Sequence, residues 1–322
     1  MIPYLEQPTV TLGPLTIHAF GAIVAAAVLV GLALGGRRFA QHGLDRALGE
    51  RLAWWAVIGG FVGAHLFSVL FYFPHEVAEN PLVLLKLWED ISSFGSILGG
   101  LLGIWLFFRL RAPEVDSASR WAYLDVAAFV FPVSLMIGRI ACSLAHDHPG
   151  TLTTWPLAVS LESAEARAYI AGVYQAAGRA AELPPAPTLA RLGFHDLGWY
   201  ELLYLGAVMV PILVWLDRRR RVPGTFLLGF LLAYLPVRFL LDFLRVADAR
   251  YAGLTPAQWT ALAGLLVAVP YVAVVVARGR GLSGRMVSAP TEARRAQTGT
   301  SRDPMRDLRS DAEPGLNDKS NQ

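Results

Sequence analysis

Apolar residues gather in seven long runs along the chain. They cover roughly Thr16 to Gly36, Ala53 to Phe73, Ser92 to Phe108, Ala122 to Leu144, Trp199 to Leu216, Gly224 to Leu244 and Ala257 to Ala277. Crossing a bilayer core takes about 20 such residues, so each run is predicted to be a spanning helix. The third and fifth are short or interrupted by Gly, Ser or Pro. The first is not expected to be a cleavable leader, because no basic residue precedes it and Arg37 and Arg38 follow it.

Two stretches break the pattern. Ala145 to Gly198 forms a long insert between spans four and five, whose Ala-rich part, Glu162 to Leu183, has helical apolar spacing and ends in a Pro-rich turn at Pro184 to Pro187. One surface helix is expected there. Beyond about Leu282 the chain turns polar and Pro-containing, which predicts a disordered tail. The expected organisation is an all-α polytopic membrane domain over 1–282, with the insert at 145–198, and a cytoplasmic tail over 283–322. No internal repeat is evident.

Charge then orients the spans. Only 16% of residues are charged and mean hydropathy is +0.44, against roughly 25% charged in soluble domains. A pI near 9.1 invites a nucleic-acid reading, but the arginines sit in short clusters between apolar runs, so no nucleic-acid partner is expected. Arg37, Arg38, Arg46 and Arg51, then Arg109, Arg111 and Arg120, then Arg218 to Arg221, then Arg278, Arg280 and Arg285 occupy alternate connections. By the positive-inside rule the N-terminus is outside and the C-terminus cytoplasmic. An odd number of spans agrees. Cys142 is the sole cysteine, which excludes an internal disulfide.

Ionisable residues within spans are costly and usually functional. Here they are His18, His65, Asp125, Arg139, Glu201, Arg238 and Asp242. The predicted topology puts all but Asp125 in or near the outer leaflet. Tyr234, Arg238, Asp242 and Arg245 follow i, i+4, i+8, i+11, which on a helix falls within about 80° of arc. Asp242 can simply neutralise Arg238 for insertion. The functional alternative is an anion site in which Arg238 and Arg139, from different helices, grip a lipid phosphate through their planar donor forks.

Span three carries Ser92-Ser93-Phe94-Gly95-Ser96 and Gly99-Gly100-Leu101-Leu102-Gly103. This density of small residues suits close helix packing or a substrate passage. After span four comes His146-Asp147-His148-Pro149-Gly150, and either histidine could act as a general base. A metal is not expected, because His-x-His supplies only two of a closed site's four ligands. Cys142 reads as a small buried residue, or as a nucleophile if His146 lowers its pKa.

Together these residues resemble the prolipoprotein diacylglyceryl transferase family. Gly138-Arg139-Ile140 through Gly150 is similar to the family's signature segment. His195 through Tyr200-Glu201 resembles its His-Pro-x-Gln-Leu-Tyr-Glu, and Tyr234, Arg238, Asp242, Phe243 and Arg245 resemble Tyr-x3-Arg-x3-Glu-Phe-x-Arg. Gly63-Ala64-His65-Leu66 and Gly99-Gly100-Leu101-Leu102-Gly103 are similar to Gly-Ala-Arg-Leu and Gly-Gly-Leu-x-Gly. The resemblance implies transfer of diacylglyceryl from phosphatidylglycerol to the lipobox cysteine of an exported prolipoprotein, releasing glycerol phosphate. It also implies the bacterial inner membrane, a site facing the periplasm, and no cofactor. Arg139, Arg238, Arg245 and Tyr234 would hold the phosphate, supported by Asp242, Glu201, Gly99, Gly100 and Gly150.

The departures concern the base. The Ser-Phe-His-Gly-Gly of the family has no histidine here, and Cys142 stands where asparagine is expected. The base then falls to His146, His148 or His195. Alternatives are a paralogous phospholipid-dependent transferase with another acceptor and a non-catalytic lipid-binding membrane protein.

Overall fold

The structure, a computed structural model, describes residues 1–12, 15–86, 92–218 and 223–277. The tail expected at 283–322 and the arginines 219–221, 278, 280 and 285 lie outside them. A β-hairpin, β1 (Thr9–Leu12) and β2 (Leu15–His18), pairs Thr9 with His18 and leads into α1 (Ala19–Gln41). α2 (Arg46–Phe71) begins at Asp45, whose carboxylate accepts from Ala47 N at 2.8 Å. A short helix α3 (Pro74–Glu79) and a 3-10 turn (Pro81–Leu85) precede α4 (Ser93–Leu110). α5 (Ser117–Ala145) starts on an Asp116 cap and ends at His146, which adopts the left-handed conformation with φ 51°.

The insert holds more than the single expected helix. Three short strands, β3 (Pro149–Thr153), β4 (Val159–Ser160) and β5 (Gly193–Asp196), form an antiparallel sheet in the order β3-β5-β4. Helix α6 (Ala164–Ala176) is shorter than predicted, because the chain leaves it through Gly178 at φ +69°. α7 (Ala186–Leu189) fills the Pro-rich turn. Val159, Leu161, Ile170, Tyr174 and Phe194 make a separate small core.

α8 (Leu197–Tyr204) continues through one π turn (Leu205–Met209) into α9 (Val210–Asp217), forming one apolar stretch. α10 (Thr225–Leu241) and α11 (Pro256–Ala277) complete the fold. Among the described residues six helices are long and apolar enough to cross a membrane, and Phe94–Leu110 is a shorter apolar one. Large apolar side chains point outward from them, with Val267 and Leu266 at 74% and 66% exposure, as lipid-facing positions would.

Glycines set the tightest contact. α2 and α4 interlock through Gly59, Gly63, Gly95, Gly99 and Gly103, and a Cβ at Gly63 would stand 2.6 Å from Gly95 O and from Gly99 Cα. Close packing therefore accounts for the small residues of span three. At the end remote from the insert, Asp125 is a helix cap: its carboxylate accepts from Gly224 N (2.7 Å), Phe226 N (3.0 Å) and Leu227 N (3.1 Å) at the start of α10. Arg38 of α1 pairs there with Asp217 of α9 at 2.6 Å and lies over the Phe129 ring. Replacing Gly63 with leucine should force α2 from α4 and sharply lower the melting temperature in detergent. Gly21→Ala, whose methyl meets nothing within 4 Å, should leave it unchanged.

Candidate active site

The insert end of the bundle gathers most of the buried charge. Arg139 lies six residues before the end of α5, Glu201 is on the first turns of α8, and Tyr234 and Arg238 are on the last turns of α10. The Glu201 carboxylate is fully buried and joins them. Its Oε2 pairs with Arg139 Nε at 2.8 Å and accepts from Tyr234 OH at 2.8 Å, while its Oε1 accepts from Arg238 Nη1 at 2.8 Å. The two arginines expected to share an anion do share one, and it is a protein carboxylate. Tyr234, expected on the lipid phosphate, donates to the same carboxylate.

The helical face predicted in span six ends sooner than expected. The α-helix stops at Leu241 and Asp242 to Leu244 form a 3-10 turn, yet Arg238 Nη2 still meets Asp242 at 3.0 Å. Arg245 reaches Asp242 only at 4.0 Å and binds Asp248 at 2.9 Å instead. The hydroxyl of Thr255 donates to the other oxygen of Asp242 in a short hydrogen bond. Thr255 also caps α11: its Oγ accepts from Gln258 N at 3.1 Å while Gln258 Oε1 accepts from Thr255 N at 3.0 Å. Sequence reading passed over Thr255, Gln258 and Asp248, although Thr255-x-x-Gln258 is a capping-box spacing. A cavity of about 360 Å³ adjoins Asp248, lined also by Tyr72, Ala176, Ala177 and Val246.

The three candidate bases separate. His146 turns away into the insert, where its ring nitrogens face Asp196 Oδ2 at 2.6 Å and Leu5 O at 3.2 Å, and it stacks on Tyr4. This ring ties the insert to the N-terminal segment and does not reach the arginines. His195 meets Tyr200 OH at 2.8 Å, and burial lowers its pKa; no contact joins it to the arginines among the described residues. His148 alone lies against the cluster, its Nε2 3.5 Å from Arg139 Nη1 and its Nδ1 in a short hydrogen bond to Asp147. Burial pushes His148 below the ordinary histidine value, with Arg245 and Arg139 acting the same way and Asp147 opposing. Burial disfavours the Asp147 charge, yet His148, Arg139 and the Cys142 thiol together hold that carboxyl below its usual range. Cys142 is buried, with Sγ 3.4 Å from Arg139 Nη1.

Other expected residues lie apart from the cluster. His18 is exposed, and His65 is buried with Nε2 donating to Val83 O at 2.9 Å. Gly99 and Gly100 belong to the α2–α4 contact. Gly150 is a convergence point: a Cβ there would meet His195 O at 2.9 Å and Leu244 O at 3.0 Å. Its backbone bridges to Arg245, and Val246 N donates to Pro149 O at 3.3 Å.

The family model for prolipoprotein diacylglyceryl transferase matches residues 7–274. The chain belongs to this family. A phosphatidylglycerol–prolipoprotein diacylglyceryl transferase of Rhizobium meliloti is 28% identical over 294 residues, covering 86% of this chain and 93% of the relative. That of Chromohalobacter salexigens is 29% identical over 273 residues, covering 83% and 89%. That of Thermus thermophilus is 38% identical over 150 residues, about half of each chain. The Arg139–Glu201–Arg238 cluster lies within the residues that the family model matches. Removing Glu201 would strip Arg139 of its carboxylate partner and leave Arg238 with Asp242 alone, so Glu201→Ala should cost about 3–5 kcal/mol. Tyr234→Phe should cost only about 1–2 kcal/mol. Thermal melts of the purified variants would rank them, and equal losses would contradict this wiring.

Proposed function

We infer that the protein is a phosphatidylglycerol–prolipoprotein diacylglyceryl transferase of the bacterial inner membrane, with seven spans, an external N-terminus and its arginine cluster in the outer leaflet. Six long apolar helices with Phe94–Leu110 between them, and arginines on alternate connections, support that arrangement. One observation carries the chemistry: two buried arginines from different helices are held side by side on one carboxylate. Such a pair is preorganised for the charge that develops on a departing phosphate.

The lipobox thiol must lose its proton, because the thiolate is the nucleophile. Its sulfur attacks the glyceryl carbon, the S–C bond forms, the carbon–oxygen bond to phosphate breaks, and the electron pair leaves with glycerol phosphate. Arg139 and Arg238 receive that charge, with Arg245 beyond them through Asp242. Glu201 and Tyr234 hold the guanidiniums in register, and thiol activation belongs to the His148 end of the cluster.

Incubation of the purified protein with phosphatidylglycerol and a lipobox peptide should give diacylglyceryl peptide and free glycerol phosphate. Arg139→Ala and Arg238→Ala should each lower turnover by more than about a hundredfold. His148→Ala should remove activity, whereas His146→Ala should chiefly lower the melting temperature. Lipid consumed without peptide product would mean another acceptor. Bound lipid with no turnover would mean a lipid-binding protein.

A further inference from the structure

Helix α4 meets the arginine cluster through an aromatic ring. Its sequence holds a single charged residue, Arg109, close to its far end, so it brings no ion-pair partner to the site. Phe94, in its first turn, is 4% exposed, and Arg238 Cζ lies over its ring, 5.4 Å from the centroid. The backbone places that ring. Ser92 N donates to Ala64 O at 3.0 Å, which ties the residue before α4 to α2, and Ser92 Oγ accepts from Gly95 N at 3.3 Å. Gly95 closes the approach: a Cβ there would stand 2.3 Å from Gly63 O and 2.4 Å from Phe67 Cβ. With the glycine face turned to α2, the neighbouring residue is about 100° further round the helix, and its ring reaches Arg238.

The donors of Arg238 give the second argument. A guanidinium makes its hydrogen bonds within its own plane and stacks through its faces. In the plane, Nη1 donates to Glu201 at 2.8 Å and Nη2 faces Asp242 at 3.0 Å. Nε is buried with no hydrogen-bond partner among the described residues. Each carboxylate occupies a donor as it neutralises the charge. An aromatic face attracts the same cation without taking any donor, and it keeps water off that side. Phe94 can therefore hold the plane of the guanidinium while the Nε edge stays open to an incoming anion.

We propose that Phe94 is a positioning residue for the transfer reaction: its ring fixes the plane of the Arg238 guanidinium and so presents the Nε edge to the lipid phosphate. The role in the reaction rests on the transferase reading above; the contact itself does not. α4 then serves the site as well as the packing of α2, because the glycines that draw the two helices together also set the depth of the ring.

The test varies ring electrostatics at nearly constant shape. Phe94 in the full-length protein is replaced by mono-, di- and trifluorophenylalanine through nonsense suppression, since fluorine drains the negative ring face and hardly alters its size. With phosphatidylglycerol and a lipobox peptide, kcat/KM should fall stepwise with each added fluorine, to about a tenth for the trifluoro ring. Binding of short-chain phosphatidylglycerol, measured without peptide, should weaken in the same order. Fluorination of the exposed Phe61 should change neither. Phe94→Tyr should retain most of the activity and Phe94→Leu should lose about tenfold; if the leucine variant fails to fold, the fluorine series decides. A flat series in folded protein overturns the proposal and makes Phe94 a space-filling residue. Graded lipid binding with no lipidated peptide upholds the positioning role and counts against the transferase reading. Wild type that neither binds the lipid nor turns it over overturns both.

Discussion

The Glu201 carboxylate is the constraint on which the insert end of the bundle depends. Two guanidiniums buried in an apolar bundle would each carry a desolvation penalty of several kcal/mol. Glu201 offsets both at once, one oxygen to each, and takes the Tyr234 hydroxyl as a further donor. Because Arg139, Glu201 and Arg238 come from α5, α8 and α10, the ion pairs also fix how those helices meet. Glu201 leaves some guanidinium donor edges over. Arg238 Nε, buried without a hydrogen-bond partner, is one of them.

Helix ends do much of the remaining positioning. Asp125 fastens the start of α10 to α5, and Asp196 begins α8 by accepting from Trp199 N at 3.0 Å while holding His146. Thr255 begins α11 and presses its hydroxyl on Asp242. In each case a residue that satisfies orphan backbone donors also reaches across to another helix. The capping groups thus relate helix registers to one another, and the arginines inherit that alignment.

The six long apolar helices and the Arg238–Asp242 contact were legible because both signals are local. Apolar run length reports a spanning helix, and the i, i+4 spacing of Arg238 and Asp242 reports their contact. The sheet of the insert was not legible. Its strands run from two to five residues and are paired across more than thirty positions of chain, so no local alternation marks them. The histidines failed for another reason. His146 and His148 are two residues apart, yet the left-handed turn at His146 sends one ring into the insert and the other to Arg139. Sequence spacing carries no trace of that reversal. The anion expected on Arg139 and Arg238 was a lipid phosphate, whereas the group between them here is the Glu201 carboxylate, whose reach depends on the depth at which α8 enters the bundle.

The insert is stitched down on two sides. Ile2 bridges to Val159 and Leu5 O meets His146 on one side. On the other, Gly150 and Pro149 bind the backbone of Arg245 and Val246, and Arg179 adds a contact to Val246 O. A flap tethered along both margins has no hinge axis about which to swing. The insert is therefore fastened as a lintel resting on two supports rather than as a lid on one edge.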